Sequence, residues 1–430
     1  QGCGPSAEGD DGIAVASTSQ VAATTTAAPD LPGSPRATTT EAPDSPDTTK
    51  ATTAEATQLV EIPLNARPWS GGMRLAISVS PVTAAGRALP AQELVLDTGS
   101  STLAFCNASL ATAGASTEYM SCNRYNPGGA PTGYWGRFYR GGVAMSGLEL
   151  AGALYSVMEE EEGMPCDEGF QGIFGVAFKQ LDLAFGYQDL SQDVGVDGSK
   201  CPSAPVADFA EPLLAALRSS GGPAALGVYW SGEAGVGEGA LYLEGAATSN
   251  AHAAVAPVGA ARLGEIGWYD IDVQEIALPA VERVWSGASV GCAPDSSKTA
   301  CIMDTGTPVL VLPSSVIRAI ESAAESGLPL GDLTVSLAAV GGGAPVVLAF
   351  DVATLVERQW LQAGSDTGMI LGLPLWRWYY TAFDLRASAA TFFPKPSAST
   401  SAAPLVFLEG NASSPPDATR RLRGRSPVVV

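Results

Sequence analysis

Histidine is almost missing from this chain: His252 is the only one in 430 residues. A site built from several histidines is therefore excluded. Any Ser-His-Asp or Cys-His arrangement has a single candidate base. His252 stands in SNAHAAVA with no serine or cysteine motif beside it, so a solvated loop histidine is expected. Basic residues are also scarce, 23 against 44 acidic ones, giving a net charge of −21. That balance argues against nucleic acid and anionic membrane surfaces as partners and suits solubility in an acidic compartment. No apolar run approaches the ~20 residues of a membrane helix. No signal peptide is visible; the start at Gln1 fits a processed form, and the closing RRLRGRSPVVV fits the edge of a membrane or wall tether outside the given sequence.

The seven cysteines never form a CxxC, which leaves zinc and redox motifs without support. Six of them (Cys106, Cys122, Cys166, Cys201, Cys292 and Cys301) lie in the part that should fold, and Cys3 lies in a tail. With N-x-S sequons at Asn107 and Asn411, the even number favours an oxidising route: secreted, vacuolar or cell-surface. Six buried free thiols are the other reading.

Charged residues make up 16% of the chain and apolar ones 46%, enough for two sizeable cores. Residues 1–57 are Thr, Ala, Pro and Ser with scattered acids; they cannot build a core and read as a stalk or linker. From Leu59 the texture changes. LVEIPL, RLAISVSPV, GALYLEG, GWYDIDVQEIAL and APVVLAFDV read as strands, punctuated by Gly, Pro and Asn. ADFAEPLLAALRSSGG and PSSVIRAIESAAESG read as short amphipathic helices ending at glycine. The expectation is a mostly β chain of two related lobes, 58–238 and 239–395, followed by a tail over 396–430.

The relation between the halves rests on an internal echo. ELVLDTGSSTLAF runs an apolar strand into Asp97, and CIMDTGTPVLVLP does the same into Asp304. Each is followed by two apolar residues and a glycine: Ile173-Phe174-Gly175, then Ile370-Leu371-Gly372. A third DTG, at Asp366, lacks both the preceding strand and the following hydroxyl, so the bare triplet is a weak signal and the full pattern a specific one. Two carboxylates meeting at one site cannot both ionise comfortably, so one pKa rises and the pair shares a proton. Such a pair can take a proton from water while giving one to a carbonyl oxygen. That is hydrolysis without an acyl-enzyme, a metal or a cofactor. Gly99 and Gly306 allow close backbone approach, and Ser100 and Thr307 can hydrogen-bond the carboxylates.

These motifs resemble the pepsin-like aspartic proteases. LPAQELVLDTGSSTLAF and CIMDTGTPVLVLP are similar to the family's active-site loops, and IFGV and ILG to the strands that thread them. ALGVYWSGEAGVGEGALYLEGAA resembles the crossover between lobes, and WRWYYTAFDLRASAATFFP the closing strands. The resemblance implies a bilobal β fold with a cleft between the lobes that takes a peptide or protein substrate, in a chain expected to be monomeric. It implies Asp97 and Asp304 as the dyad, Thr98 and Thr305 as cross-lobe partners, and a flap with a tyrosine near its tip. Tyr134 in TGYWGRFYRGG is the flap candidate, with Gly141 at the family's spacing, and Tyr139 is the alternative. It further implies disulfides Cys292–Cys301, Cys106–Cys122 and Cys166–Cys201, one of 15 possible pairings of six cysteines.

Three positions depart from the family. Ala104 stands where a tryptophan usually supports the flap tyrosine, Pro308 where a serine usually follows, and Leu373 where many members have an aspartate. The last departure implies a less acidic pH optimum. Together they keep open a protease-fold binding or inhibitor protein with weak catalysis, or a glycosylated surface protein. A glycosidase also needs two carboxylates, but it explains neither the duplicated motif nor its echoes.

Overall fold

The computed structural model describes residues 60–396, apart from 70–71, 126–131, 164–165, 167–168, 179–180, 189–200, 203–204, 209–224, 244–254, 265–266, 287–289, 291, 293–300 and 365–367. Cys3, His252, Asp366, Asn411 and nearly all of the expected helix after Asp208 lie outside the described residues. The described residues all lie within one compact unit, Ala56–Val430.

The architecture is mostly β. The first half runs through β1 (Val60–Trp69), β2 (Gly72–Val82), β3 (Gln92–Asp97), β4 (Leu103–Phe105), β5 (Ala115–Tyr125), β6 (Thr132–Met145), β7 (Leu148–Glu162), β8 (Gly172–Gly175), β9 (Leu183–Gly186) and β10 (Ala207–Asp208). Next come β11 (Ala225–Trp230), β12 (Gly235–Leu243), β13 (Gly259–Arg262), β14 (Val273–Leu278), β15 (Arg283–Ser286), β16 (Cys301–Met303) and β17 (Leu310–Pro313). The chain closes with β18 (Asp332–Leu337), β19 (Val346–Asp351), β20 (Leu361–Gly364), β21 (Met369–Leu371), β22 (Tyr379–Asp384) and β23 (Ala389–Pro394). Among the described residues, fifteen strands form one sheet in the order β10-β9-β5-β6-β7-β4-β8-β3-β2-β1-β12-β11-β22-β23-β13. Two four-stranded sheets, β15-β14-β18-β19 and β16-β21-β17-β20, complete the second half.

The strand periodicity explains much of this. Ile62, Leu64 and Ala66 alternate inward along β1, and Leu333, Val335 and Leu337 along β18, all nearly fully buried. The crossover is a strand seam in which β12 pairs with β1 on one side and β11 on the other, while β11 continues to β22. The expected helix at PSSVIRAIESAAESG forms over Ser314–Glu325 and buries Val316, Ile317, Ile320 and Ala323, the spacing of one helical face. Gly327, at φ +67°, ends it: its N–H donates to Ala324 and that of Leu328 to Ala323. GWYDIDVQEIAL is strand only from Val273 onward; its first residues instead cross to the other half.

The echo becomes a repeated topology. β3 runs parallel to β8, with Asp97 opposite Gly175, and β16 runs parallel to β21, with Met303 opposite Leu371. The strand after each DTG returns antiparallel to the same partner, β4 on β8 and β17 on β21. Each DTG turn thus loops over the glycine of an apolar-apolar-Gly strand. A Cβ on Gly175 would lie 2.6 Å from the Thr102 nitrogen, and one on Gly372 would lie 2.0 Å from the Val309 oxygen. Only glycine lets the two chains pass so closely.

Candidate active site

The two DTG turns face each other with matching hydrogen bonds. Gly99 N–H donates to Asp97 Oδ1 at 2.7 Å and Ser100 Oγ to Oδ2 at 2.7 Å. Gly306 N–H donates to Asp304 Oδ1 at 2.8 Å and Thr307 Oγ1 to Oδ2 at 2.5 Å. The threonines lock the turns reciprocally. Thr98 N–H donates to Thr305 Oγ1 at 3.0 Å, and Thr305 N–H to Thr98 Oγ1 at 2.9 Å. Thr98 Oγ1 then donates to the Met303 carbonyl at 3.0 Å and Thr305 Oγ1 to the Leu96 carbonyl at 2.7 Å. Every residue of the two predicted turns is therefore brought to one place.

The closeness of the pair is visible through the glycines. A Cβ on Gly99 would lie 2.7 Å from Asp304 Oδ1, and one on Gly306 would lie 2.5 Å from Asp97 Oδ1. Asp97 is 8% exposed and Asp304 2%. Burial, reinforced by the neighbouring charge of Asp304, pushes the Asp97 carboxyl up to about 8, while Ser100 and the Gly99 N–H pull the other way. Two carboxylates this close titrate as a pair, so the site retains a proton over a wide pH range.

The second half also reaches across at Trp268, whose indole N–H donates to the Gly99 carbonyl at 3.0 Å. Beside it, Tyr269 OH donates to the Val176 carbonyl at 2.6 Å, and Phe178 N–H to the Gly267 carbonyl at 3.0 Å. Sequence reasoning passed over this contact because GWYDIDV reads as continuous strand. The glycine before paired aromatics was the available signal.

The hairpin of β5 and β6 differs from expectation. Its last pair is Tyr125 with Thr132, while Tyr134 sits farther back, opposite Asn123, and is fully buried. Tyr125, in the last pair of the hairpin, interacts electrostatically with both carboxylates, and Tyr134 with Asp97 alone of the two. Its hydroxyl is sealed from solvent, and burial, then Tyr134, then Asp97 raise its pKa well above the ordinary tyrosine value, with Ser100 opposing and Asp304 adding a smaller rise. Tyr139 is farther still from the end of the hairpin and stacks on Tyr155. NPGG, directly after Tyr125, is the strongest turn signal in the segment and marks the hairpin's end better than spacing from Gly141 does.

The disulfides correct the expected pairing. Cys292–Cys301 forms as expected, but the first-half bonds are Cys106–Cys166 and Cys122–Cys201, not Cys106–Cys122 and Cys166–Cys201. Antiparallel pairing of β4 with β8 lays Cys106 beside Gln171, whose carbonyl accepts its N–H, and so near Cys166. Pairing of β5 with β9 directs Cys122 toward the chain that follows β9. Asn107 is exposed, and its Oδ1 caps a short turn by accepting from Ser109 N–H at 3.0 Å.

Of the departing positions, Ala104 is fully buried in β4. Pro308 packs at Gly72, where a Cβ would be 2.9 Å from the proline Cβ. Leu373 is fully buried, with its N–H donating to the Thr307 carbonyl. Among the described residues, no helix is long and apolar enough to cross a membrane.

No protein-family model matches the chain. No curated protein matches it in sequence. Among solved structures, an aspartic proteinase from Irpex lacteus is similar at TM-score 0.50 and 16% identity, over 79% of this chain and 98% of that one. At that identity the likeness speaks to fold: the chain has the mostly β fold of the pepsin-like aspartic proteinases.

Proposed function

We propose that the protein is an aspartic-type endopeptidase. The observation that carries this reading is the matched pair of buried carboxylates, each in a two-bond cage and each within a glycine's reach of the other. Burial and the neighbouring acid favour a proton on Asp97, so the pair as a unit carries one proton and one negative charge. A water held between them loses a proton to the ionised carboxylate as its oxygen adds to the peptide carbonyl carbon. The protonated carboxyl gives its proton to the carbonyl oxygen. As the tetrahedral adduct collapses, the proton taken from water passes to the departing amine, the C–N bond breaks, and one hydroxyl of the adduct returns its proton to the carboxylate that had protonated the carbonyl oxygen. Ser100 and Thr307 hold the carboxylate planes throughout, and the Thr98–Thr305 lock keeps the two turns in register. Substrate lies in the cleft between the lobes, over 58–238 and 239–395. The disulfides and fold suit a secretory route.

The test is peptide cleavage across pH, with and without pepstatin, comparing the native chain with Asp97→Asn and Asp304→Asn. Each substitution should abolish measurable turnover while leaving the fold unchanged by circular dichroism. With Leu373 in place of an acid, activity should not peak below about 3.5, under the ordinary aspartate pKa. A native chain that cleaves no peptide, or variants that cleave as well as it does, would overturn the reading. Peptide binding without cleavage would instead favour a binding protein on the same fold.

A further inference from the structure

The residue behind Tyr125 carries more of the site than its distance from the dyad suggests. Tyr134 is fully buried and stacks on Tyr125, with ring centroids 6.4 Å apart and planes inclined by 30°. It shares a buried cluster with Ala104, Met158 and Ile173, and Tyr125 and the Cys106–Cys166 pair pack against that cluster. Its hydroxyl accepts from Asn123 Nδ2 at 2.8 Å; the same nitrogen reaches Thr102 Oγ1 at 3.5 Å, and Thr102 Oγ1 donates to Asp182 Oδ1 at 2.8 Å. Asp182 and Thr102 are both nearly fully buried. A polar row therefore runs from Asp182 through the segment after Asp97 into the hairpin and ends under the ring of Tyr125.

This row ties the hairpin to the segment that follows the first DTG turn. β4 offers only a methyl group at Ala104, while β6 supplies a full aromatic ring to the same cluster. The hydroxyl bond to Asn123 fixes where the Tyr134 ring sits, and the ring itself makes the contact with Tyr125.

We propose that Tyr134 is the positioning residue that holds Tyr125 against the Asp97–Asp304 pair, supplying from β6 the aromatic support that position 104 does not. The inference rests on the peptidase reading above. Tyr134 touches no reacting atom; it acts through Tyr125.

The test is a double-mutant cycle on peptide cleavage, combining Tyr134→Ala with Tyr125→Phe, alongside Tyr134→Phe and the pair Tyr134→Ala with Ala104→Trp. Tyr134→Ala should lower kcat/KM by about tenfold to a hundredfold, the scale expected when a positioning contact shifts by about an ångström. Tyr134→Phe, which keeps the ring, should retain most of the activity. Ala104→Trp should restore a good part of what Tyr134→Ala loses. The Tyr134→Ala and Tyr125→Phe losses should be strongly non-additive. Additive losses, or Tyr134→Ala within twofold of the native chain, would overturn the proposal while leaving the peptidase reading intact. Hydrogen exchange supplies a readout independent of turnover. Tyr134→Ala should speed exchange over 119–125 and 132–139 and leave 332–351 unchanged, even if the native chain proves inactive. Unchanged exchange over the hairpin, or an equal rise everywhere, would overturn the proposal as well.

Discussion

At Gly306 the absence of one carbon decides the site. A Cβ there would lie 2.5 Å from Asp97 Oδ1 and 3.0 Å from Asp304 Oδ1, inside the space the two carboxylates share. Gly99 stands in the mirrored position, 2.7 Å from Asp304 Oδ1. Gly306→Ala should therefore reduce kcat by at least about a hundredfold, because the carboxylates must separate or rotate out of their cages. The remote cores do not touch this point, so the unfolding midpoint should shift little; kcat near the native value would show that the turn relaxes without disturbing the pair. The dyad was legible in the sequence because its chemistry is local: strand, acid, glycine and hydroxyl lie in one short stretch, and the stretch occurs twice. The flap tyrosine was less legible. Four tyrosines, Tyr119, Tyr125, Tyr134 and Tyr139, lie in the paired strands β5 and β6, and which one meets the carboxylates depends on where the hairpin turns.

Elements follow the same division between local and distant information. Strand alternation and the helix at Ser314–Glu325 could be read from residue spacing. The two first-half disulfides could not, because their pairing is set by which strands become neighbours. Cys106 and Cys122 are close in sequence, yet β4 pairs with β8 and β5 with β9, so they are drawn to different partners. The pairing can be checked by proteolysis of the unreduced protein. Mass spectrometry should find a peptide containing Cys122 joined to one containing Cys201, and Cys106 joined to Cys166. A Cys106–Cys122 peptide would refute this connectivity. Cys122→Ser with Cys201→Ser should cost about 2–5 kcal/mol of stability, with the loss felt first in β5 and β9. Because β5 also carries Tyr125, turnover should fall before the whole molecule unfolds.

On the scale of the whole molecule, one of the places where the second half reaches the first is the stretch Gly267–Tyr269, and an acid sits beside it. Tyr269 and Trp268 bond to the first half, and Asp270 follows them, bridged to Ile302 just before the second DTG. Asp270 is 1% exposed, and no side chain among the described residues donates a hydrogen bond to its carboxylate. Burial raises its pKa from 3.8 to about 7, against a smaller pull from the backbone N–H groups of Asp270 and Trp268. The folded chain thus keeps a proton that the unfolded chain releases. This stabilisation is complete below about 3.8 and fades as pH rises through about 7; Asp97, raised to about 8, acts in the same direction. A change from 3.8 to about 7 corresponds to on the order of 4 kcal/mol of preference for the neutral acid. The net charge of −21 adds general repulsion over the same range. Denaturant unfolding should therefore show stability falling between pH 4 and pH 8. Asp270→Asn removes one titration while keeping the shape, so it should flatten that fall. The variant should gain on the native chain at pH 7.5 and match it more closely at pH 4. An unchanged slope would mean that Asp270 ionises in the folded chain without cost. The decline would then rest with Asp97 and the surface charge, and the stretch around Asp270 would not sense pH.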